Sequence, residues 1–223
     1  DNRNHIQDGT GYFDIYLYDL STKTEKRITN GEGNYQNPII AKDRIVWIDH
    51  KDGRKDVMLY DIQQNTTKKV SADDAQAFGV VFDGEVIAWM DRRDGDFDIF
   101  MYKTSQGQEK QITYGTGDEL DPLLSDGKVA WMVAHDGISQ VYMYDTDTGL
   151  QTRVTTGKDN HRPVAFSGDS MIVMKGDTLT LNDVNNITEK SVKSPGDVPV
   201  NQVMLINDKV IWFDGKNLIT EPI

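Results

Sequence analysis

Apolar residues in this chain fall in short alternating runs, and nowhere in the sustained three-to-four-residue rhythm of an amphipathic helix. Between residues 80 and 113 the pattern is clearest. Val80-Val81-Phe82 is a brief apolar run, Asp83-Gly84 a turn pair, and Val86-Ile87-Ala88-Trp89 a β-rich stretch. Arg92 to Asp96 makes the next connection, Phe97 to Tyr102 a third strand, Thr104 to Gly107 a turn, and Glu109 to Thr113 a fourth strand. The pattern predicts four antiparallel strands joined by short turns.

The same unit recurs at a fixed step of 42 residues. Gly11, Gly53, Gly95 and Gly137 keep that step, as do Asp14, Asp56, Asp98 and Gln140, and also Tyr18, Tyr60, Tyr102 and Tyr144. Trp47, Trp89 and Trp131 follow it; the next copy has Val173, and Trp212 comes in a shortened fifth copy. Four-stranded units repeated side by side expose sheet edges, which radial arrangement into a β-propeller keeps short. The first strands are expected from Pro38, Val80, Pro122, Pro163 and Asn201, and the fourth strands to end near Thr29, Ser71, Thr113, Thr155 and Lys193. The predicted fold is all-β: one β-propeller domain over residues 1–223 with four-stranded antiparallel blades. Five blades are expected, the closing one built from both chain ends, with a six-bladed or incomplete ring as the alternative.

The unit Trp-x-Asp, Gly, Asp-Ile-Tyr-x-Tyr-Asp, then Ile-Thr and a Pro-led strand, resembles the TolB-like propeller repeat. It stands here as Trp47-Ile48-Asp49, Gly53 and Asp56 to Asp61, and again as Trp89-Met90-Asp91, Gly95 and Asp98 to Tyr102. The resemblance spans nearly the whole chain and weakens after residue 173. It implies an extracytoplasmic setting (periplasmic, cell-surface or secreted), since such repeats occur in periplasmic Tol proteins, cell-surface proteins and the gating propellers of serine peptidases. Fold alone leaves function open.

Composition narrows the partners. A formal charge of −12 disfavours nucleic acid and anionic lipid. No apolar run is long enough for membrane insertion as a spanning helix. The absence of Cys removes disulfides, thiolate chemistry and Cys-based zinc sites. Asp91, Asp94 and Asp96 around Gly95 are a candidate calcium set, because hard cations take clustered oxygen ligands. Asp-Gly equally supplies the positive φ values of a hairpin turn, and the copies disagree, with Gln140 in place of the last Asp and Ile138-Ser139 in place of charged residues, so turn chemistry is the leading reading.

The four histidines, His5, His50, His135 and His161, form no His-x-x-x-His pair, and no Gly-x-Ser-x-Gly elbow is present. The stretches expected to connect blades are Asn34 to Asn37, Gln76 to Gly79, Asp118 to Asp121 and Asn160 to Arg162. They change character from copy to copy while the strands do not. Tyr35, Gln36, Glu119, Asp121, His161 and Arg162 are the candidate partner contacts, an aromatic with both charge signs. The expected function is a noncatalytic, monomeric propeller that binds a protein or cell-envelope component without a cofactor. The alternatives are a polysaccharide lyase or glycosidase using Glu119, Asp121 and Arg162, and a propeller domain of a larger protein.

Overall fold

In the computed structural model, residues 13–30, 33–192, 203–206, 209–213 and 217–222 are described; His5, Gly11, Lys193 and Asn201 lie outside them. Every regular element among the described residues is a β-strand, arranged in antiparallel meanders. β1 (Tyr16–Asp19) and β2 (Thr24–Arg27) form a two-stranded sheet. The first complete blade is β3 (Asn34–Ala41), β4 (Arg44–Lys51), β5 (Arg54–Asp61) and β6 (Thr66–Lys69). The second is β7 (Ala77–Phe82), β8 (Val86–Asp91), β9 (Asp98–Lys103) and β10 (Gln108–Gln111). The third is β11 (Asp118–Ser125), β12 (Lys128–His135), β13 (Ile138–Asp145) and β14 (Gln151–Arg153). The fourth is β15 (His161–Ser167), β16 (Ser170–Lys175), β17 (Thr178–Asp183) and β18 (Thr188–Val192). A three-stranded sheet of β19 (Met204–Ile206), β20 (Lys209–Phe213) and β21 (Leu218–Pro222) follows. No helix among the described residues is long and apolar enough to cross a membrane.

Among the described residues, β1–β2 and β19–β21 are separate sheets, and β21 takes the edge of β20 through pairs such as Trp212 with Ile219.

The chain divides into two compact units, one of Asp1–Gly95 with Phe100–Lys110 and the other of Asp96–Ile99 with Gln111–Ile223. In the first unit, Val46, Val57 and Leu59 pack with Ile87, Trp89, Phe100 and Tyr102, and Ile15 packs with Tyr35, Ile45, Trp47 and Tyr60. In the second, Ala130, Val141 and Met143 pack with Met171 and Val173, while Ile172 and Leu179 pack with Val203, Leu205, Val210 and Trp212. Each of these clusters joins one sheet to the next in sequence, which is why the aromatic stripes recur at one register. The tyrosines add a polar stitch: Lys26 donates to Tyr60 Oη and Lys68 to Tyr102 Oη, each at 2.8 Å.

Asp-Gly turns behave as their chemistry requires. Asp52 and Gly53 have φ of 53° and 77°, and Asp136 and Gly137 have 50° and 77°, the positive pair of a type I′ hairpin.

A second repeated device ties the third strand of a blade, or the start of β1, to the segment that follows the next strand. The N–H groups of Ile15, Val57, Ile99 and Val141 donate to the hydroxyls of Thr29, Ser71, Thr113 and Thr155 at 2.8 to 3.0 Å. Three of those hydroxyls donate onward, to Asp14, Asp98 and Gln140, at 2.9 to 3.0 Å. The constant step of the acids and hydroxyls thus has a backbone cause: these N–H groups are buried, and an unmet buried donor is costly.

Candidate functional site

The candidate contacts stand on first strands, and the structure corrects their local setting. Asn34 to Asn37 belong to β3, Asp118 to Asp121 to β11, and His161 and Arg162 to β15, rather than to connecting loops. Proline marks the middle of these strands because a bulge carries pairing past it. The register shifts between Gln36 and Ile39, between Phe78 and Val81, and between Leu120 and Leu123. Asn37, Gly79 and Asp121, one in each shift, have φ of 53° to 55°. Gly, Asn and Asp tolerate this left-handed conformation best. In β15 the same place is Pro163, whose ring holds φ negative, and the shift falls instead between Pro163 and Ala165.

Ahead of each bulge, one side chain turns inward. Tyr35, Ala77, Glu119 and His161 are spaced by 42 residues and all are buried; Val203, one step further on, is buried too, ahead of the unshifted pairing of β19. Tyr35 is a core residue of the first unit, while Gln36 beside it is exposed. In the second unit, β11 and β15 lie side by side. Asp121 and Arg162 meet there: Arg162 Nε donates to Asp121 Oδ2 at 2.6 Å, with half of the arginine side chain exposed. Such a pair adds little to stability and remains available to a partner.

Glu119 has a different environment from its near neighbour Asp121. Only 4% of it is exposed, and its N–H donates to Phe97 O at 2.8 Å. Asp98 and Thr113 stand beside its carboxyl, while Oε2 has no hydrogen-bond partner among the described residues. Burial is the largest influence and pushes its pKa up to about 7. The neighbouring Thr113 hydroxyl opposes that rise, and the acidic neighbours Asp98 and Asp118 reinforce it. Glu119 therefore titrates near neutrality. His161 is fully buried, and neither ring nitrogen has a hydrogen-bond partner among the described residues.

Of the candidate calcium residues, Asp91 is buried and accepts from Gln76 N–H, Trp89 Nε1, Arg93 N–H and Arg93 Nη2 at 2.7 to 3.1 Å. Those donors occupy the roughly four acceptor positions of a carboxylate. Asp94 and Asp96 are exposed. Among the described residues, no three His, Asp or Glu side chains are grouped to hold a metal ion.

Two features are not among the sequence expectations. One is an apolar groove of about 310 Å³ in the first unit, lined by Asp14 to Tyr18 with Pro38, Ile40 and Ile45. The other is the Asp98–Thr113–Glu119 network. Its signal in the sequence is the constant separation of 15 residues between each repeated acid or amide and its hydroxyl, as in Asp98 and Thr113.

No protein-family model and no curated protein matches the sequence. Solved structures do. TolB from Acinetobacter baumannii superimposes with a TM-score of 0.51 and 21% identity, over 81% of this chain and 49% of that one. The β-propeller domain of the Trilobed protease from Pyrococcus furiosus gives 0.69 and 15%, over 94% of this chain and 74% of that one. Dipeptidyl peptidase 4 from Porphyromonas gingivalis gives 0.66 and 14%, over 82% of this chain and 30% of that one. The chain thus spans about half the length of the first of these and under a third of the last. With its meandering four-stranded sheets, its 42-residue step and these likenesses, the chain has the fold of a TolB-like β-propeller.

Proposed function

We propose that this propeller is a noncatalytic binding module that recognises a protein or cell-envelope component through the bulged first strands of its blades. The observation that carries the reading is the Asp121–Arg162 pair. Adjacent strands of the second unit present opposite charges, both partly exposed, on a backbone frame that other blades build with different side chains. Paired charges of both signs orient a polar partner and set its register more than its raw affinity. The net charge of −12 favours a partner with a basic surface.

The module acts as a monomer outside the cytoplasm, the setting expected from the repeat, and the likeness to two TolB structures supports this reading. The test is capture from cell-envelope extract with wild type, Asp121→Ala and Arg162→Ala. A partner retained by wild type and lost by both folded variants supports the proposal; equal recovery by all three rejects this surface. Glu119→Ala is unsuited to that test because Glu119 is buried.

A second reading, a propeller serving as one domain of a larger protein, is favoured by likeness to parts of two peptidases, one matched over 30% of its chain. Reading the gene on both sides of this segment decides it: an in-frame peptidase domain supports this role, and stop codons close to both ends dismiss it.

A further inference from the structure

Of the three repeated acids, Asp14, Asp56 and Asp98, the first two have a local counter-charge. Asp14 accepts from Arg27 Nη2 at 2.6 Å, and Asp56 Oδ1 lies 3.8 Å from Lys69 Nζ. In the third-blade copy Arg153 is retained, but the acid is replaced by the neutral Gln140. The equivalent of Arg27, Lys69 and Arg153 beside Asp98 is Gln111. The backbone confirms that equivalence. The next residue in each case, Ile28, Val70, Ile112 and Val154, donates its N–H to the carbonyl of Ile15, Val57, Ile99 and Val141 at 2.8 to 2.9 Å. Asp98 is buried and has no ion pair among the described residues. What faces it is a second buried carboxyl, Glu119.

We propose that Glu119 holds a proton against Asp98, standing where other copies place a cation, and that this proton is a pH-sensitive latch between the start of β9 and β11. Two carboxyls in one poorly hydrated site cannot both ionise cheaply, so one retains its proton and donates to the other. Thr113 donates its hydroxyl proton to Asp98 Oδ1 at 2.9 Å, which holds that carboxyl in place beside Glu119. The charged groups facing Glu119 are Asp98 from β9 and Asp118 from its own strand, both acidic. The latch closes on two bonds at Phe97: Glu119 N–H to Phe97 O at 2.8 Å, and Phe97 N–H to the Asp118 side-chain Oδ1 at 3.1 Å.

The direction of the pH effect follows. Folding raises the Glu119 pKa from its ordinary 4.5 to about 7, so the folded chain binds the extra proton. The stabilisation is complete below pH 4.5 and is lost as pH rises through 7. Loss of the proton leaves two adjacent buried charges.

Carbon-detected NMR titration of the Glu119 carboxyl in the whole native chain tests this directly, alongside melting of wild type, Glu119→Gln and Gln111→Arg. The expected midpoint is near 7, and the melting temperature of wild type should fall by about 3 to 5 °C between about pH 6 and 8. Glu119→Gln should lose that slope. Gln111→Arg, which restores the cation of other copies, should lower the midpoint by about one unit or more. A wild-type midpoint in the ordinary carboxylate range overturns the proposal, even if Glu119→Gln fails to fold. So does an unchanged slope in Glu119→Gln, or an unchanged midpoint in folded Gln111→Arg.

Discussion

The Thr–Asp clip and the inward position ahead of each bulge make an instructive pair. Both recur at 42 residues and both are buried, yet the clip keeps its chemistry and the inward position does not. The clip must satisfy a backbone N–H, and a short hydroxyl side chain reaches it in that geometry. The inward position has no backbone group to satisfy. Tyr35, Ala77, Glu119 and His161 all fill it, because the bulge sets the direction of the side chain and leaves its identity free. A repeat can thus diversify next to its bulge without losing its frame.

Four substitutions sharpen or break that contrast. The largest effect is expected within the frame: Trp89→Ala, at a fully buried site that also loses the bond to Asp91, should cost about 3 to 5 kcal/mol in chemical denaturation. Thr155→Val keeps the shape of the clip and strands the N–H of Val141 and the amide oxygen of Gln140, so a loss of about 1 to 3 kcal/mol is expected. A neutral result at Thr155 would remove the reason for its recurrence.

At the inward position the sign reverses. His161→Leu replaces two unpartnered buried nitrogens by apolar surface and should raise stability by about 1 kcal/mol, read from the shift in denaturation midpoint. A clear loss would show that the imidazole has a role its protein neighbours do not reveal. The smallest effect belongs to the exposed pair. Arg162→Ala should change stability by less than about 0.5 kcal/mol while reducing partner capture, which separates binding from folding in one variant.

Much of the fold is legible in the residues because the signals are local. Alternation marks the strands, Asp52-Gly53 and Asp136-Gly137 mark hairpins, and the tryptophan and tyrosine steps mark the packing between successive sheets. The first strands are harder to place. Pro38, Pro122 and Pro163 suggest strand beginnings, but bulges allow pairing to start at Asn34, Asp118 and His161. The acidic run around Gly95 is ambiguous for a similar reason: only folded geometry brings four donors to Asp91.

By itself the sequence determined the repeat length, the antiparallel strands and the turn chemistry, since these depend on neighbours a few residues apart. Tertiary structure alone decided that Glu119 meets Asp98, 21 positions away, and that Asp121 meets Arg162, 41 positions away. The protonation of a carboxyl depends on burial and on the charges around it, and the pairing of sheets creates both.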